Sequence, residues 1–181
     1  MVAQLEQEVV VKVKLLKMKT IVFYILCLFS VYSFSQDELS QLLEKHNTEE
    51  VPYIYVQELD ELPTEPTYLD AREEQEYRVS HIKDALWVGY DDFNIETIEK
   101  QITNKDQEIV VYCSLGIRSE VIASKLKKAG YSNVKNLYGG IFEWKNNNHS
   151  VYNTQDNETD SIHTFSKKWS KWLNNGIKTH E

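Results

Sequence analysis

The chain has 181 residues, enough for one domain plus a terminal extension, and 41% of them are hydrophobic, an ordinary share for a globular protein. Its formal charge is −8, from 28 acidic and 20 basic residues, which argues against a nucleic-acid-binding surface because phosphates demand a basic one. The only cysteines are Cys27 and Cys113, too few for a disulfide framework, and a domain of this size buries its core without one.

Met18 and Lys19 precede an apolar run from Ile21 to Tyr32, which is followed by Ser33-Phe34-Ser35. A basic start, a short hydrophobic segment and small residues before a cut after Ser35 are the parts of a secretory signal peptide. The run is short for a membrane span, which needs roughly 20 apolar residues. A signal starting at Met18 has the common form, whereas one starting at Met1 carries Glu6 and Glu8 in a long n-region. Residues 1–17 therefore read as an extension upstream of the true start. Leu26 is too large for the small residue that lipoprotein processing at Cys27 prefers. The expectation is a leader over 1–35 and an exported protein, periplasmic or secreted. Removing Glu6 and Glu8 with Lys12, Lys14, Lys17 and Lys19 leaves 26 acidic against 16 basic residues, net −10, and Cys113 as the remaining thiol.

Residues 36–50 are polar and acidic, and Leu39, Leu42 and Leu43 are spaced as one face of a short helix. Val51 to Val56 reads as a strand, with Pro52 at its start, and Pro63 and Pro66 mark a loop. Tyr68 to Ala71 reads as a buried strand that delivers Asp70 and Arg72 to its C-terminal end. Glu73 to Val79 has helical composition, and Ala85 to Val88 reads as the next strand. Asp91 or Asp92 caps a helix running to about Ile102 on the spacing of Phe93, Ile95, Ile98 and Ile102.

Ile109-Val110-Val111-Tyr112 is continuous and largely β-branched, as a central parallel strand should be. A turn over Cys113 to Arg118 leads into a helix with Ile122, Leu126 and Ala129 on one face, stopped by Gly130. Val134 to Leu137 supplies a further strand, and Gly139-Gly140 begins a short helix carrying Phe142 and Trp144. Residues 145–161, rich in Asn, Asp and Thr, read as a linker loop. Phe165, Trp169, Trp172 and Leu173 fall at helical spacing and form one aromatic stripe, with Lys167, Lys168 and Lys171 around it. That predicts an amphipathic helix docked on the domain; a membrane-surface or partner helix is the lesser reading. Strands alternating with helices argue for a three-layer α/β domain with a central, mostly parallel sheet.

The chemistry concentrates at Cys113. It lies directly after a buried strand and just before a helix, where backbone N–H groups converge and bind an anion without a cation. A thiolate is itself such an anion. Its pKa should fall below the free value of roughly 8.5, and Arg118 pushes in the same direction. Gly116 supplies a positive φ or a close approach, and Ser119 is placed to cap the following helix. The bland alternative is a small buried hydrophobe. Against it stands the position, at the C-terminal end of a parallel strand where α/β ligand sites lie.

At this point the chain resembles a known family. Cys113-Ser114-Leu115-Gly116-Ile117-Arg118-Ser119 is similar to the Cys-x-x-Gly-x-Arg active-site loop of rhodanese-like domains. Upstream, Leu69-Asp70-Ala71-Arg72-Glu73, then Glu76-Tyr77, then His81-Ile82 with Ala85, resemble the family's other signature. Asn136-Leu137-Tyr138-Gly139-Gly140-Ile141 with Trp144 resembles its closing segment. The resemblance runs from near Val51 to near Asn146 and divides the chain into a leader over 1–35, a polar helix in 36–50, a rhodanese-like domain over 51–147, and a linker with the amphipathic helix over 148–181. Ser80 and Asp84 stand where the family usually has glycine, which puts the turn conformations there in question.

The resemblance implies a sulfurtransferase. Cys113 would carry sulfur as a persulfide, taken from a small anionic donor such as thiosulfate and passed to a thiol or cyanide, with Ser114 to Ser119 forming the substrate loop. Arg118 would orient the donor or else pair with a nearby carboxylate, Asp70 and Arg72 would brace the loop, and His81 would be structural. No cofactor and no metal are implied, and the expected state is a monomer. Two other readings remain. Tyrosine-type phosphatases and arsenate reductases use a Cys-x5-Arg loop, one residue longer than this one, which makes a larger cradle. An idle rhodanese-like module that only binds a partner commonly lacks the cysteine kept here. The leader makes one direct prediction: N-terminal sequencing of the exported protein should begin at Gln36, and a cytoplasmic full-length product would refute it.

Overall fold

The computed structural model describes residues 14–20, 38–48 and 50–180. The leader's apolar run, Cys27 and the cut after Ser35 lie outside them. The chain divides into two units, Met1–Gln41 and Leu42–Glu181. In the first, residues 14–20 are helical. The helix expected within 36–50 is present over 38–46.

The second unit is built on a five-stranded parallel sheet. Its strands are β1 (Tyr53–Ile54), β2 (Thr67–Asp70), β3 (Leu86–Trp87), β4 (Ile109–Tyr112) and β5 (Val134–Leu137), in the order β1-β5-β4-β2-β3. The β-branched run of β4 takes the centre, and all four of its residues are buried, because helices cover both faces. The crossovers are the helices Val56–Asp60, Glu74–Val79, Ile95–Gln101 and Arg118–Lys128, with Gly140–Asn146 after β5. Ile98, Ile102, Ile122, Ala123 and Leu126 pack with Leu69, Ile109 and Val111 in one core. This is the expected α/β architecture. In register, Asp70 of β2 stands beside Tyr112 and Val111 of β4 beside Asn136 of β5. Parallel pairing thus brings the C-terminal ends of three strands together around Cys113.

One cap differs from expectation. Asn94, not Asp91 or Asp92, caps the Ile95–Gln101 helix, its Oδ1 accepting the Thr97 N–H at 3.1 Å. The apolar spacing that began at Phe93 placed the start too early, since Phe93 packs on the core from the loop.

The C-terminal extension departs further. The expected linker contains an antiparallel pair, β6 (Val151–Tyr152) with β7 (Glu158–Thr159), closed by a turn in which Asn153 Oδ1 accepts the N–H groups of Gln155 and Asn157. The amphipathic α-helix over Phe165 to Leu173 is absent. In its place, β8 (Ser161–His163) pairs in parallel with β9 (Ile177–Thr179), joined through a 3-10 turn at Trp169–Trp172. Phe165 sits at φ 59, which no α-helix accommodates.

The stripe lost to a competing set of backbone partners. Asn146 Oδ1 accepts the N–H groups of Asn174 and Asn175 at 2.7 and 3.2 Å, and its Nδ2 donates to the Trp172 carbonyl at 2.9 Å. Asp160 ties the same stretch to the domain, its carbonyl accepting from Ile177 N–H and its carboxylate pairing with Lys145 at 2.7 Å. Docking itself is present: Trp172 and Leu173 are buried, whereas Phe165 is half exposed. Leu173→Ala should therefore lower unfolding free energy by about 2–5 kcal/mol, read from urea unfolding, and an unchanged midpoint would contradict the docked tail.

Candidate active site

β4 ends at Tyr112, and the chain turns over Cys113 to Ile117 before the helix Arg118–Lys128 begins. Cys113, a free thiol, is fully shielded from solvent together with Ser114, Leu115 and Ser119. The Gly116 N–H donates to Cys113 Sγ at 3.1 Å, and Ser119 Oγ lies 3.5 Å from it. Gly116 has φ +109, and a Cβ there would press on the Leu137 carbonyl at 3.3 Å, so both reasons for glycine hold at once.

Ser119 does not cap the helix as expected. Ile117 is the capping position, and the Ser119 hydroxyl faces two tertiary acceptors instead, Asn136 Oδ1 at 2.7 Å and Cys113 Sγ at 3.5 Å. A loop whose N–H groups face inward leaves carbonyls to satisfy, and the helix after β5 takes them: Ile141 N–H donates to the Cys113 carbonyl at 2.9 Å and Phe142 N–H to that of Ser114 at 3.4 Å. Such proximity requires Gly140, since a Cβ there would run into the Cys113 carbonyl oxygen. From sequence, Gly140 was only the start of a helix.

Arg118 is engaged from behind. Its Nη1 and Nη2 donate to the two carboxylate oxygens of Glu76 at 2.6 and 2.9 Å, and Nη2 also donates to Ser114 Oγ at 3.0 Å. Ser114 in turn donates to Glu76 at 3.0 Å. Of the two roles open to Arg118 from the sequence, the structure places it in the carboxylate pair. In the sequence Glu76 stands only as one position of a motif, and its partner 42 positions away leaves no local trace. Burial works against the Glu76 charge, but Arg118 and then Arg72 outweigh it and hold the carboxylate ionised. Arg118 also lies under the Phe165 ring, 4.9 Å from its centre.

Asp70 and Arg72 form a second buried pair, Arg72 Nη2 to Asp70 Oδ2 at 2.6 Å. Arg72 also donates to the Ser80 carbonyl at 2.6 Å, and its own carbonyl accepts from Trp87 Nε1 at 2.9 Å. The pair thus ties the end of β2 to the Ser80 turn and to β3. His81 stacks on Tyr77, ring centres 4.0 Å apart. The two departures from the family pattern separate: Ser80 is extended at φ −168, open to any residue, while Asp84 occupies the left-handed region at φ 57.

Electrostatically, burial pushes the Cys113 thiol up, but the Arg118 charge and the donors of Ser119 and Gly116 more than reverse that and leave it below an ordinary thiol. The site is a buried sulfur poised to ionise.

The model of the rhodanese-like domain matches residues 55–147. This chain belongs to the rhodanese-like domain family. Among curated proteins, the tRNA uridine(34) hydroxylases of Enterobacter sp. (strain 638) and Escherichia coli (strain K12 / DH10B) are 31% and 32% identical to it over 97 residues. That stretch is 51% of this chain but only 28% of each hydroxylase. Of solved structures, the thiosulfate sulfurtransferase from Pseudomonas aeruginosa matches with TM-score 0.53 and 20% identity, over 77% of this chain and 26% of that one. The rhodanese-like domain of an Anabaena sp. protein matches with TM-score 0.50 and 23% identity, over 56% and 79%. These likenesses establish the fold.

The lowered thiol makes a signed prediction. Between its folded value and the unfolded one of roughly 8.5, the unfolded chain binds the extra proton, so the Cys113 contribution to stability grows with pH, is complete above the unfolded value and is lost as pH falls through the folded one. Urea unfolding between about pH 6 and about pH 9 should move in favour of wild type over Cys113→Ser as pH rises. A difference independent of pH would contradict an ionised thiol.

Proposed function

We propose that this rhodanese-like protein is a sulfurtransferase that carries sulfane sulfur on Cys113. The observation that carries the reading is a free thiol at the end of β4, held below its ordinary pKa by Gly116 N–H, Ser119 and Arg118. A lone buried hydrophobe needs none of these. The Cys113 thiolate attacks the outer sulfur of a donor such as thiosulfate; the donor's S–S bond breaks and sulfite leaves with its electron pair. An acceptor thiolate or cyanide then attacks the outer sulfur of the persulfide, and Cys113 leaves as the thiolate with which it began. Atoms and electrons balance without an external oxidant.

Arg118 contributes charge to the sulfur from within its pair with Glu76, and its Nε–H, buried without a hydrogen-bond partner, is the donor left for an incoming anion. The formal charge of −8 favours such a small donor over RNA, the substrate named for the hydroxylases. The short loop favours sulfur over a tetrahedral oxyanion. We further propose that the protein works as a monomer outside the cytoplasm, in the periplasm or secreted.

Incubation with thiosulfate should add the mass of one sulfur atom to the intact protein at Cys113, and cyanide should remove it as thiocyanate. Cys113→Ser should abolish both steps with the fold intact, since the hydroxyl is far less nucleophilic at neutral pH. Retained transfer in that variant would sink the mechanism. Phosphate-ester hydrolysis without sulfur transfer would indicate the phosphatase reading, and inertness in both assays a binding module.

A further inference from the structure

The hydroxyl of Ser119 has one proton and two acceptors. Asn136 Oδ1 lies at 2.7 Å and Cys113 Sγ at 3.5 Å. Which one receives it is settled by the far side of Asn136. Its Nδ2 has acceptors for both hydrogens, the Gly116 carbonyl at 2.8 Å and Glu120 Oε2 at 3.0 Å. Turning the amide over would set its oxygen against a carbonyl and a carboxylate, so Oδ1 is fixed toward Ser119. Asn136, Ser119 and Glu120 are all buried.

A buried amide that donates to a carboxylate is polarised, and its oxygen becomes a stronger acceptor. Glu120 therefore strengthens the hold of Asn136 on the Ser119 proton. While that proton points at Asn136, the Ser119 lone pairs face the sulfur, an arrangement that suits a protonated thiol, which can donate to Oγ. For a thiolate it is repulsive until the hydroxyl rotates and donates to sulfur. We infer that Asn136, anchored by Glu120, competes with the Cys113 sulfur for the single proton of Ser119 and so acts as a positioning residue that governs how readily the sulfur becomes anionic. The chain Glu120–Asn136–Ser119–Cys113 joins the first turn of the Arg118–Lys128 helix to β5 and ends on the reacting atom.

Arg118 acts on the same sulfur, with Glu76 behind it and Glu73 at 3.9 Å, and the closed Asp70–Arg72 pair lies beside Tyr112, the residue before it. The inference rests on the proposed role of Cys113, but its test reads ionisation and not transfer.

The ultraviolet absorbance of the thiolate, wild type minus Cys113→Ser, followed against pH, gives the ionisation midpoint in the folded protein without requiring a reagent to reach the buried sulfur. Ser119→Ala should move the midpoint up by about one unit, about a tenfold loss of thiolate below it, and Ser119→Thr should restore it. Asn136→Leu should move it the opposite way, by about half a unit to one unit, because the Ser119 proton is released to the sulfur. Bracing alone would move both in one direction, and that result would overturn the inference. If Asn136→Leu does not fold, as judged by circular dichroism, Glu120→Gln decides: it keeps the acceptor for Asn136 without the charge and should lower the midpoint. That shift should vanish in the Ser119→Ala background, whereas a through-space charge effect would persist and refute the relay. Opposed shifts without sulfur loading would uphold the network and reject the sulfurtransferase; loading without opposed shifts would do the reverse.

Discussion

The buried pair between Arg118 and Glu76 is the constraint on which the site depends. Two charges removed from water are expensive, and their attraction offsets that only with good geometry and further hydrogen bonds. Both conditions are met, by two Nη-to-carboxylate bonds and by Ser114, which bonds to both partners. The Glu73 N–H adds a fourth contact to the carboxylate at 3.1 Å, closing the first turn of the Glu74–Val79 helix. The pair thus fixes helix, loop and cation in one step. It also sets the sign of the field at the sulfur. A cation left free would bind any anion, whereas one paired behind the loop lends Cys113 its near face while Glu76 keeps the surroundings close to neutral.

A second division of labour lies in the backbone. The loop turns Gly116 N–H toward the sulfur, and the carbonyls of Cys113 and Ser114 then point the other way, where the helix Gly140–Asn146 offers its free N–H groups. Each end solves the other's problem: the helix start needs acceptors and the loop needs donors. Gly140 is the residue that permits contact at that distance. The site is therefore assembled from β4, its loop and the segment after β5, elements that are neighbours only because the sheet is parallel.

This explains what could be read in advance. β4 fell where its β-branched run placed it and β5 where Val134 to Leu137 was read as a strand, and Gly116 was identified because a turn between strand and helix demands it. The partners Glu76, Asn136 and Glu120 were not assigned roles, because each acts across elements and its spacing in sequence carries no trace of the contact. Ser119 shows the same limit in reverse: a local rule made it a cap, and a tertiary acceptor at 2.7 Å took its hydroxyl instead. The aromatic stripe of the tail failed for a related reason. Its periodicity correctly marked Trp172 and Leu173 for burial, but the backbone found partners in Asn146 and Asp160 that a helix would have forfeited.

What lies outside the family's span bears on the chemistry as well. Leu43 packs beside Gly116, its Cδ2 3.6 Å from where a Cβ would stand, and Asn47 Nδ2 donates to the Gly116 carbonyl at 2.9 Å. Phe165 covers Arg118 from the other flank. Neither flank belongs to residues 55–147, yet together they help exclude water from the loop. In water a charge 4 Å from another is worth about 1 kcal/mol, and at the effective dielectric of a protein surface about fourfold more. Excluding water therefore raises the effect of Arg118 on the sulfur at the same time as it raises the desolvation that opposes ionisation. The balance between those two falls to the hydrogen bonds at Sγ, which makes the direction of one hydroxyl, that of Ser119, consequential for the whole site.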